Sequence, residues 1–209
     1  MMKLYITPGS PYARIVRIVI LEKRLEHRVE IIPAQTRHAD SPYYRINPSG
    51  RVPYLIRDDG MALEESALIC AYLDHLDSNP VFDLPAGEQG WEARRLDALA
   101  RSMTDGLAVW IRELVRPREE RSPSLLEHEA QRSRRMAAVW EAEIKHPLMN
   151  SALNLAQITL ACGLGLEVRN LDLQWRPGHP KLVAWFDRLV VRPSFAATAP
   201  PAASFTSGA

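Results

Sequence analysis

The chain is poor in cysteine. Only Cys70 and Cys162 occur in 209 residues, far apart and in apolar, helix-like surroundings. That argues against a disulfide-built scaffold and makes a reduced, cytoplasmic setting the expectation. There is no C-x-x-C, and no two of the six histidines stand four residues apart. A structural zinc site has no ligand set here, and no metal is expected. A surplus of one charge is missing too: 26 Lys+Arg against 25 Asp+Glu leave a net +1. A nucleic-acid or anionic-membrane binder needs a basic excess, so neither partner is expected. Only four of the 26 cations are lysines: Lys3, Lys23, Lys145 and Lys181. Long hydrophobic runs are absent. Ile15 to Leu21 is the best of them and carries Arg17, well short of the ~18–20 residues a membrane helix needs. The N-terminus shows no apolar h-region and no small-residue cleavage site, so no secretion signal is expected. What remains is 46% apolar and 24% charged, the balance of a soluble globular protein of one or two domains.

The first third alternates strand and helix signals. Lys3 to Thr7 is a short strand-like run broken by Pro8-Gly9, and Ser10-Pro11 then starts a helix. Ser is the cap, and Pro holds the first helical position, where its missing N–H is no loss. That helix runs to about Lys23–Leu25. His27 to Ile32 reads as a second strand, and one helical turn is expected near Pro42 to Arg45. Val52 to Arg57 is a third strand with Pro53 at its start, where proline is tolerated. Asp58-Asp59-Gly60 is a hairpin signal leading to a fourth strand, Met61 to Leu63. Glu65-Ser66 opens a helix with Leu68, Ile69, Tyr72, Leu73 and Leu76 at helical spacing. A βαβ unit, a hairpin and a helix within about eighty residues make a small α/β layer.

Pro80, Pro85, Gly87 and Gly90 crowd the stretch Asp77 to Gly90, which reads as a boundary. Everything beyond it is helical or irregular. Trp91 to Val115 is one long helix, stopped by Arg116-Pro117. Ser124 to Lys145 is another, with Ser124 and Glu127 as a capping box. Asn154 to about Arg169 is very apolar and should be the buried helix, with Asn154 as cap and Gln157 at its third position. Pro180 to Val191 is the last helix, ended by Arg192-Pro193. The fold class expected is α/β plus all-α: residues 1–77, a linker at 78–87, a helical domain at 88–200, and a disordered tail at 201–209, where Ala, Pro and Ser dominate.

The ordered motifs then carry a resemblance. Ser10-Pro11-Tyr12-Ala13-Arg14, Asn47-Pro48-Ser49-Gly50-Arg51-Val52-Pro53, Glu64-Glu65-Ser66, Asn154-Leu155-Ala156 and Arg192-Pro193-Ser194-Phe195 follow one another in register. Over nearly its whole length the chain resembles the glutathione S-transferase family, in detail a bacterial, YibF-like branch. The resemblance implies an N-terminal thioredoxin-like domain followed by a C-terminal helical bundle domain. It further implies a cytoplasmic, homodimeric detoxification enzyme that takes glutathione as substrate and a small hydrophobic electrophile as the second reactant.

The residues accommodate that chemistry. Ser10 caps a helix whose N-terminus carries roughly +0.5 charge and free N–H groups, a favourable place for an anion. Its hydroxyl would add a charge-assisted hydrogen bond to the glutathione thiolate. A free thiol ionises near pH 8.5, and lowering that by two units takes about 2.7 kcal/mol, within reach of one dipole and one or two hydrogen bonds. Thr7 and Tyr5 are the fallback hydroxyls, with Tyr5 expected to point into the core. The same tetrapeptide resembles a glutaredoxin Cys-Pro-Tyr-Cys with both thiols replaced, which disfavours dithiol exchange.

The resemblance implies a cis bond at Val52–Pro53, with the Val52 N–H and C=O turned to the ligand backbone as to an added strand. Ser66, at a helix N-terminus, would bind the γ-glutamyl carboxylate, and Glu65 the adjacent ammonium. Arg37, His38 and Arg51 are candidates for the glycyl carboxylate. Asp105 matches a family position that reaches the partner subunit's glutathione. Pro8, Met103, Leu107, Trp110 and Ile111 are candidates for the electrophile pocket, although such an apolar stripe is ordinarily core.

Two alternatives stand beside the transferase. One is isomerisation, dehalogenation or peroxide reduction at the same site. The other is a non-catalytic adaptor on the transferase fold, which would need none of Ser10, Val52-Pro53 or Glu65-Ser66.

Overall fold

The structure, a computed structural model, describes residues 1–82 and 87–202. The chain forms two compact units, Met1–Asp83 and Leu84–Ala209. Part of the expected linker, residues 83–86, and the expected tail from residue 203 onward lie outside the described residues.

The first unit is a four-stranded sheet with two helices. Strand β1 (Met2–Ile6) lies parallel to β2 (Val29–Pro33) and antiparallel to β3 (Tyr54–Ile56), which pairs with β4 (Ala62–Glu64) in the order β2-β1-β3-β4. A parallel pair needs a crossover, and helix α1 (Pro11–Glu22) supplies it. The central strand carries Leu4, in register with Ile31 on one side and Leu55 on the other. Leu4 and Leu55 are fully buried, as are Ile15, Val16, Ile18 and Val19 of α1 and Ile69, Cys70 and Leu73 of α2 (Ser66–Asp74). A central strand buried on both faces explains why β1 reads as a nearly continuous apolar run. The third strand begins two residues later than Val52, because Pro53 has no N–H to give the ladder. This is the small α/β layer that the strand and helix order predicted, and the thioredoxin-like domain that the resemblance implied.

The second unit is helical. The helices are α3 (Glu88–Leu114), α4 (Pro123–Glu143), α5 (Leu155–Leu164), α6 (Pro180–Val190) and α7 (Pro193–Ala197), with short 3-10 turns between α3 and α4 and between α4 and α5, and a 3-10 turn plus an irregular stretch leading from α5 to α6. All ten residues of α5 are buried. It packs so tightly on α3 that a Cβ on Gly163 would lie 2.5 Å from Thr104 Oγ1. Thr104 in turn donates to the Thr159 carbonyl at 3.0 Å. Asn154 caps α5 as expected, its Oδ1 accepting the Gln157 N–H at 3.1 Å.

Three local expectations are corrected. Helix α4 is capped by Ser122, whose Oγ accepts the Leu125 N–H at 3.3 Å. The Ser124–Glu127 box does not form, because Pro123, with its φ preset for the first helical position, starts the helix earlier. Helix α5 stops at Leu164, and Gly165–Arg169 tightens into a 3-10 turn. Pro193 does not only end α6; it also opens α7, which buries Phe195 completely.

Candidate functional site

Ser10 sits at the N-cap of α1 in extended backbone, and its Oγ accepts the Ala13 N–H at 3.2 Å. Its own N–H is spent on the Thr7 carbonyl at 3.1 Å. A hydroxyl has two acceptor sites and one proton, so the cap bond leaves the proton to donate. Ser10 and Thr7 are half-buried and Pro8 is exposed. Tyr5 is 9% exposed and packs against Tyr43, with ring centroids 5.6 Å apart. It points into the core, as its place on the strand requires.

The second helix start is built differently. Glu65 is the N-cap of α2 with φ 71°, a left-handed conformation that non-glycine residues rarely adopt. No side chain caps this end. Glu65 is exposed, whereas Ser66 is 2% exposed. Backbone strain of this kind clusters where a side chain is aimed for use.

Between them lies a loop held by its own polar network. Tyr43 Oη donates to the Arg51 carbonyl at 2.5 Å, and Asn47 Nδ2 donates to the same oxygen at 3.0 Å. Asn47 Oδ1 accepts the Ser49 N–H at 3.1 Å, and Ser49 Oγ accepts the Arg51 N–H at 3.1 Å. Ser49 Oγ and Asn47 Nδ2 both reach Glu64 Oε1, the latter at 3.4 Å. Burial pushes the Tyr43 phenol above its ordinary value; the Asn47 hydrogen bond opposes this and the Glu64 charge adds to it. Gly50 is required by its φ of 65° and by Tyr44, whose Cε1 would lie 2.7 Å from an added Cβ. The loop delivers Arg51 to Glu65, Nη1 to Oε1 at 3.8 Å, with both side chains more than 70% exposed. The Val52–Pro53 bond that follows is cis, as the resemblance implied.

The other candidates are placed as follows. Arg37 is exposed with φ 65°, and its N–H donates to Tyr44 Oη at 2.8 Å. His38 is exposed. In the helical unit Asp105 is exposed, Met103 and Leu107 are each 1% exposed, and Trp110 is 7% exposed. Trp110 also lines a cavity of about 260 Å³ with Arg134, Asp172, Gln174, Trp175, Pro177 and His179. Both cysteines are buried. Among the described residues no group of three or more His, Cys, Asp or Glu side chains is placed to hold a metal, and no helix is long and apolar enough to cross a membrane.

The sequence motifs missed Glu64 and Tyr43 as organisers of the loop. They also missed Lys23, at the C-cap of α1 and 3% exposed, which reaches Asp74 at 3.2 Å and Asp77 at 2.8 Å and donates to the Asn79 carbonyl at 2.6 Å. Burial pushes the Lys23 ammonium down, but the hydrogen bonds to Asp77 and Asp74 outweigh it, and its pKa stands above the usual value. That Lys23 is one of only four lysines was the available signal.

A four-stranded thioredoxin-like sheet followed in sequence by a helical unit is the architecture of glutathione transferases. Residues 4–81 match the family model for the glutathione S-transferase N-terminal domain. The chain is 32% identical over 205 residues to an uncharacterised GST-like protein, YibF, of Escherichia coli K12, covering 97% of this chain and 100% of that protein. It also resembles a glutathione transferase family member from Pseudomonas fluorescens Pf-5, solved with bound glutathione. The TM-score there is 0.84 and the identity 33%, over 96% of this chain and 100% of that one. A second structure of a family member from that organism, with S-(propanoic acid)-glutathione bound, gives 0.82 and 33%. The chain belongs to the glutathione S-transferase family.

Proposed function

We propose that the protein is a serine-type glutathione transferase that acts on a small hydrophobic electrophile. The observation that carries the reading is the pair of helix starts in the first unit. One presents the Ser10 hydroxyl at a capped N-terminus, the other presents Glu65 and Ser66 at an end without a side-chain cap. The glutathione and S-(propanoic acid)-glutathione bound in the two Pseudomonas fluorescens structures support it.

In this reading the γ-glutamyl carboxylate of glutathione takes the N-terminus of α2 at Ser66, where N–H groups and the helix dipole favour an anion. Its ammonium pairs with Glu65. Val52, Pro53 and Arg51 meet the peptide backbone and the glycyl end, with Arg37 as the other basic candidate. The thiol loses its proton to solvent, and the thiolate accepts a hydrogen bond from Ser10 at the N-terminus of α1. A C–S bond then forms at the electrophilic carbon as the leaving group departs with its electron pair. Pro8 beside Ser10, and Met103, Leu107 and Trp110 of α3, are the residues we assign to the electrophile.

A homodimer is part of the proposal. Exposed Met61 and Leu68 on the β4–α2 side of one subunit and exposed Trp91 on α3 of the other offer apolar surface for it, with Asp105 reaching the partner's glutathione. We place the protein in the cytoplasm and its role in detoxification.

Calorimetry with glutathione, followed by turnover on chlorodinitrobenzene, a hydroperoxide and a maleyl compound, tests the reading. Binding with conjugation of chlorodinitrobenzene is the expected result. Absence of any glutathione heat would remove the enzyme readings and leave the adaptor.

A further inference from the structure

Two cavities of the helical unit differ in one respect. The cavity of about 220 Å³ lined by Asn150, Gln157, Trp185, Arg188 and Arg192 uses its polar groups on itself. Asn150 Oδ1 accepts from Arg188 at 3.0 Å, and Gln157 Nε2 donates to the Leu148 carbonyl at 2.9 Å. The cavity lined by Trp110 does not. Arg134 and Asp172 face it with opposite charges yet form no ion pair or hydrogen bond through their side chains, with each other or with any other described residue. The Gln174 side chain is likewise without a hydrogen-bonded partner among the described residues.

The wall that carries Asp172 and Gln174 has no regular structure and is anchored at its C-terminal side. Within Asp172–Trp175, Leu173 and Trp175 are buried, while Asp172 and Gln174 alternate outward. Trp175 Nε1 donates to the Leu164 carbonyl at 3.0 Å. Arg176 stacks on the Trp175 and Phe186 rings at 4.8 and 5.2 Å, and its guanidinium is held by Glu167 and Asp187 at 2.6 and 2.9 Å. His179 Nδ1 bonds the Trp175 carbonyl at 2.8 Å. Preorganised walls lower the ordering cost that a ligand must otherwise meet. A concave site with aromatic walls and a few convergent polar groups is the common form of a small-molecule site.

We infer that this cavity binds a small aromatic zwitterion of the free amino-acid type. Its carboxylate meets Arg134, its ammonium meets Asp172, and its ring lies against Trp110 and Pro177. One cation and one carboxylate that line the same cavity without pairing, both reached by solvent, suit a ligand with both charges and no net charge. The cavity falls just under the ~300–1,000 Å³ of drug-sized sites, which limits the ligand to a single ring. The inference goes beyond the transferase reading in its charged groups, since neither Arg134 nor Asp172 has a part in that reading; Trp110, assigned there to the electrophile, is the one residue the two share.

Calorimetry on the full chain with L-phenylalanine tests it, against 3-phenylpropionate, which lacks the ammonium, and phenethylamine, which lacks the carboxylate. Phenylalanine should bind more tightly than either. Arg134→Ala and Asp172→Asn should each weaken it roughly tenfold or more, as lost charged hydrogen bonds do. Asp172→Asn should also remove the preference for phenylalanine over phenylpropionate. Ser10→Ala should leave this binding intact, which separates the inference from the transferase reading. No heat from phenylalanine would overturn the inference. So would binding indifferent to both substitutions, or substitutions that alter only the KM for chlorodinitrobenzene. Both positions are exposed, and a far-UV spectrum matching the parent shows that loss of binding is not loss of fold.

Discussion

The two helices of the first unit differ at their N-termini and are joined at their C-termini. Helix α1 begins with a proline and a serine whose oxygen already accepts a backbone N–H. Helix α2 begins with a glutamate in left-handed backbone and no side-chain cap. A closed helix end offers a hydroxyl proton; an open one offers backbone donors and the dipole. The first suits a soft thiolate and the second a carboxylate, and under the proposed function the two would hold the two ends of one ligand by different means. At the opposite ends, Lys23 at the C-cap of α1 meets Asp74, the last residue of α2.

The largest effect expected from breaking this contrast is at Ser10. Ser10→Ala should lower kcat on chlorodinitrobenzene by about 10²–10³-fold, the usual cost of one lost donor to a developing or stabilised anion. Ser10→Asp keeps a capping oxygen but places a negative charge beside the thiolate. It should retain the melting temperature and lose the rate. If Ser10→Ala keeps full rate, Thr7 is the next hydroxyl to test.

Second is the joined end. Lys23→Met takes the cation from Asp74, which is 1% exposed and keeps the Val81 and Phe82 N–H groups at 3.0 and 2.8 Å, and should cost roughly 2 kcal/mol, as the loss of a charged hydrogen bond does. A thermal melt of the variant measures it. The pH dependence has two limits. The raised Lys23 pKa means that its contribution is complete below the ordinary lysine value and is lost as pH rises through the raised one. The hydrogen bond from Lys23, then the Asn79 N–H, holds the Asp77 carboxyl below its ordinary range. Its contribution is therefore present above that range and fades as pH falls through the lowered value. A parent-minus-variant melting difference that stays flat across both limits would contradict the tie.

Third is the open end. Ser66→Ala should raise the KM for glutathione about tenfold and leave kcat nearly unchanged, because it removes binding common to ground and transition states. A fall in kcat instead would place Ser66 near the sulfur and erase the division of labour between the helices. The smallest effect is at Arg51. Its contact with Glu65 is exposed on both sides, so Arg51→Ala should shift the glutathione KM by no more than about threefold, and less still at high salt.

Much of this contrast was legible in the sequence, but unevenly. Ser10-Pro11 announces its helix because cap and proline act over one turn, and Asn154 does the same for α5. Those rules are local, and they also explain the miss at α4, where Ser122-Pro123 obeys the Ser10-Pro11 rule and outranks the Ser124–Glu127 signature. The left-handed Glu65 was not legible, since nothing in Glu64-Glu65-Ser66 demands a positive φ until β4 and α2 are set in place. Lys23, Asp74 and Asp77 are separated by about fifty residues and meet only through tertiary packing. Among the apolar residues of α3, spacing marks a buried face without saying which side chains would touch a ligand.

The loop network around Arg51 has a further consequence. Tyr43 and Asn47 bond one carbonyl, and Asn47 and Ser49 bond one carboxylate oxygen of β4, directly before Glu65. A disturbance at any member therefore reaches the peptide groups of residues 47–51 and the glutamate together. Amide exchange in that segment becomes a reporter of ligand occupancy: glutathione bound at Glu65 should slow deuterium uptake at Ser49 and Arg51, whose N–H groups are bonded to Asn47 Oδ1 and Ser49 Oγ.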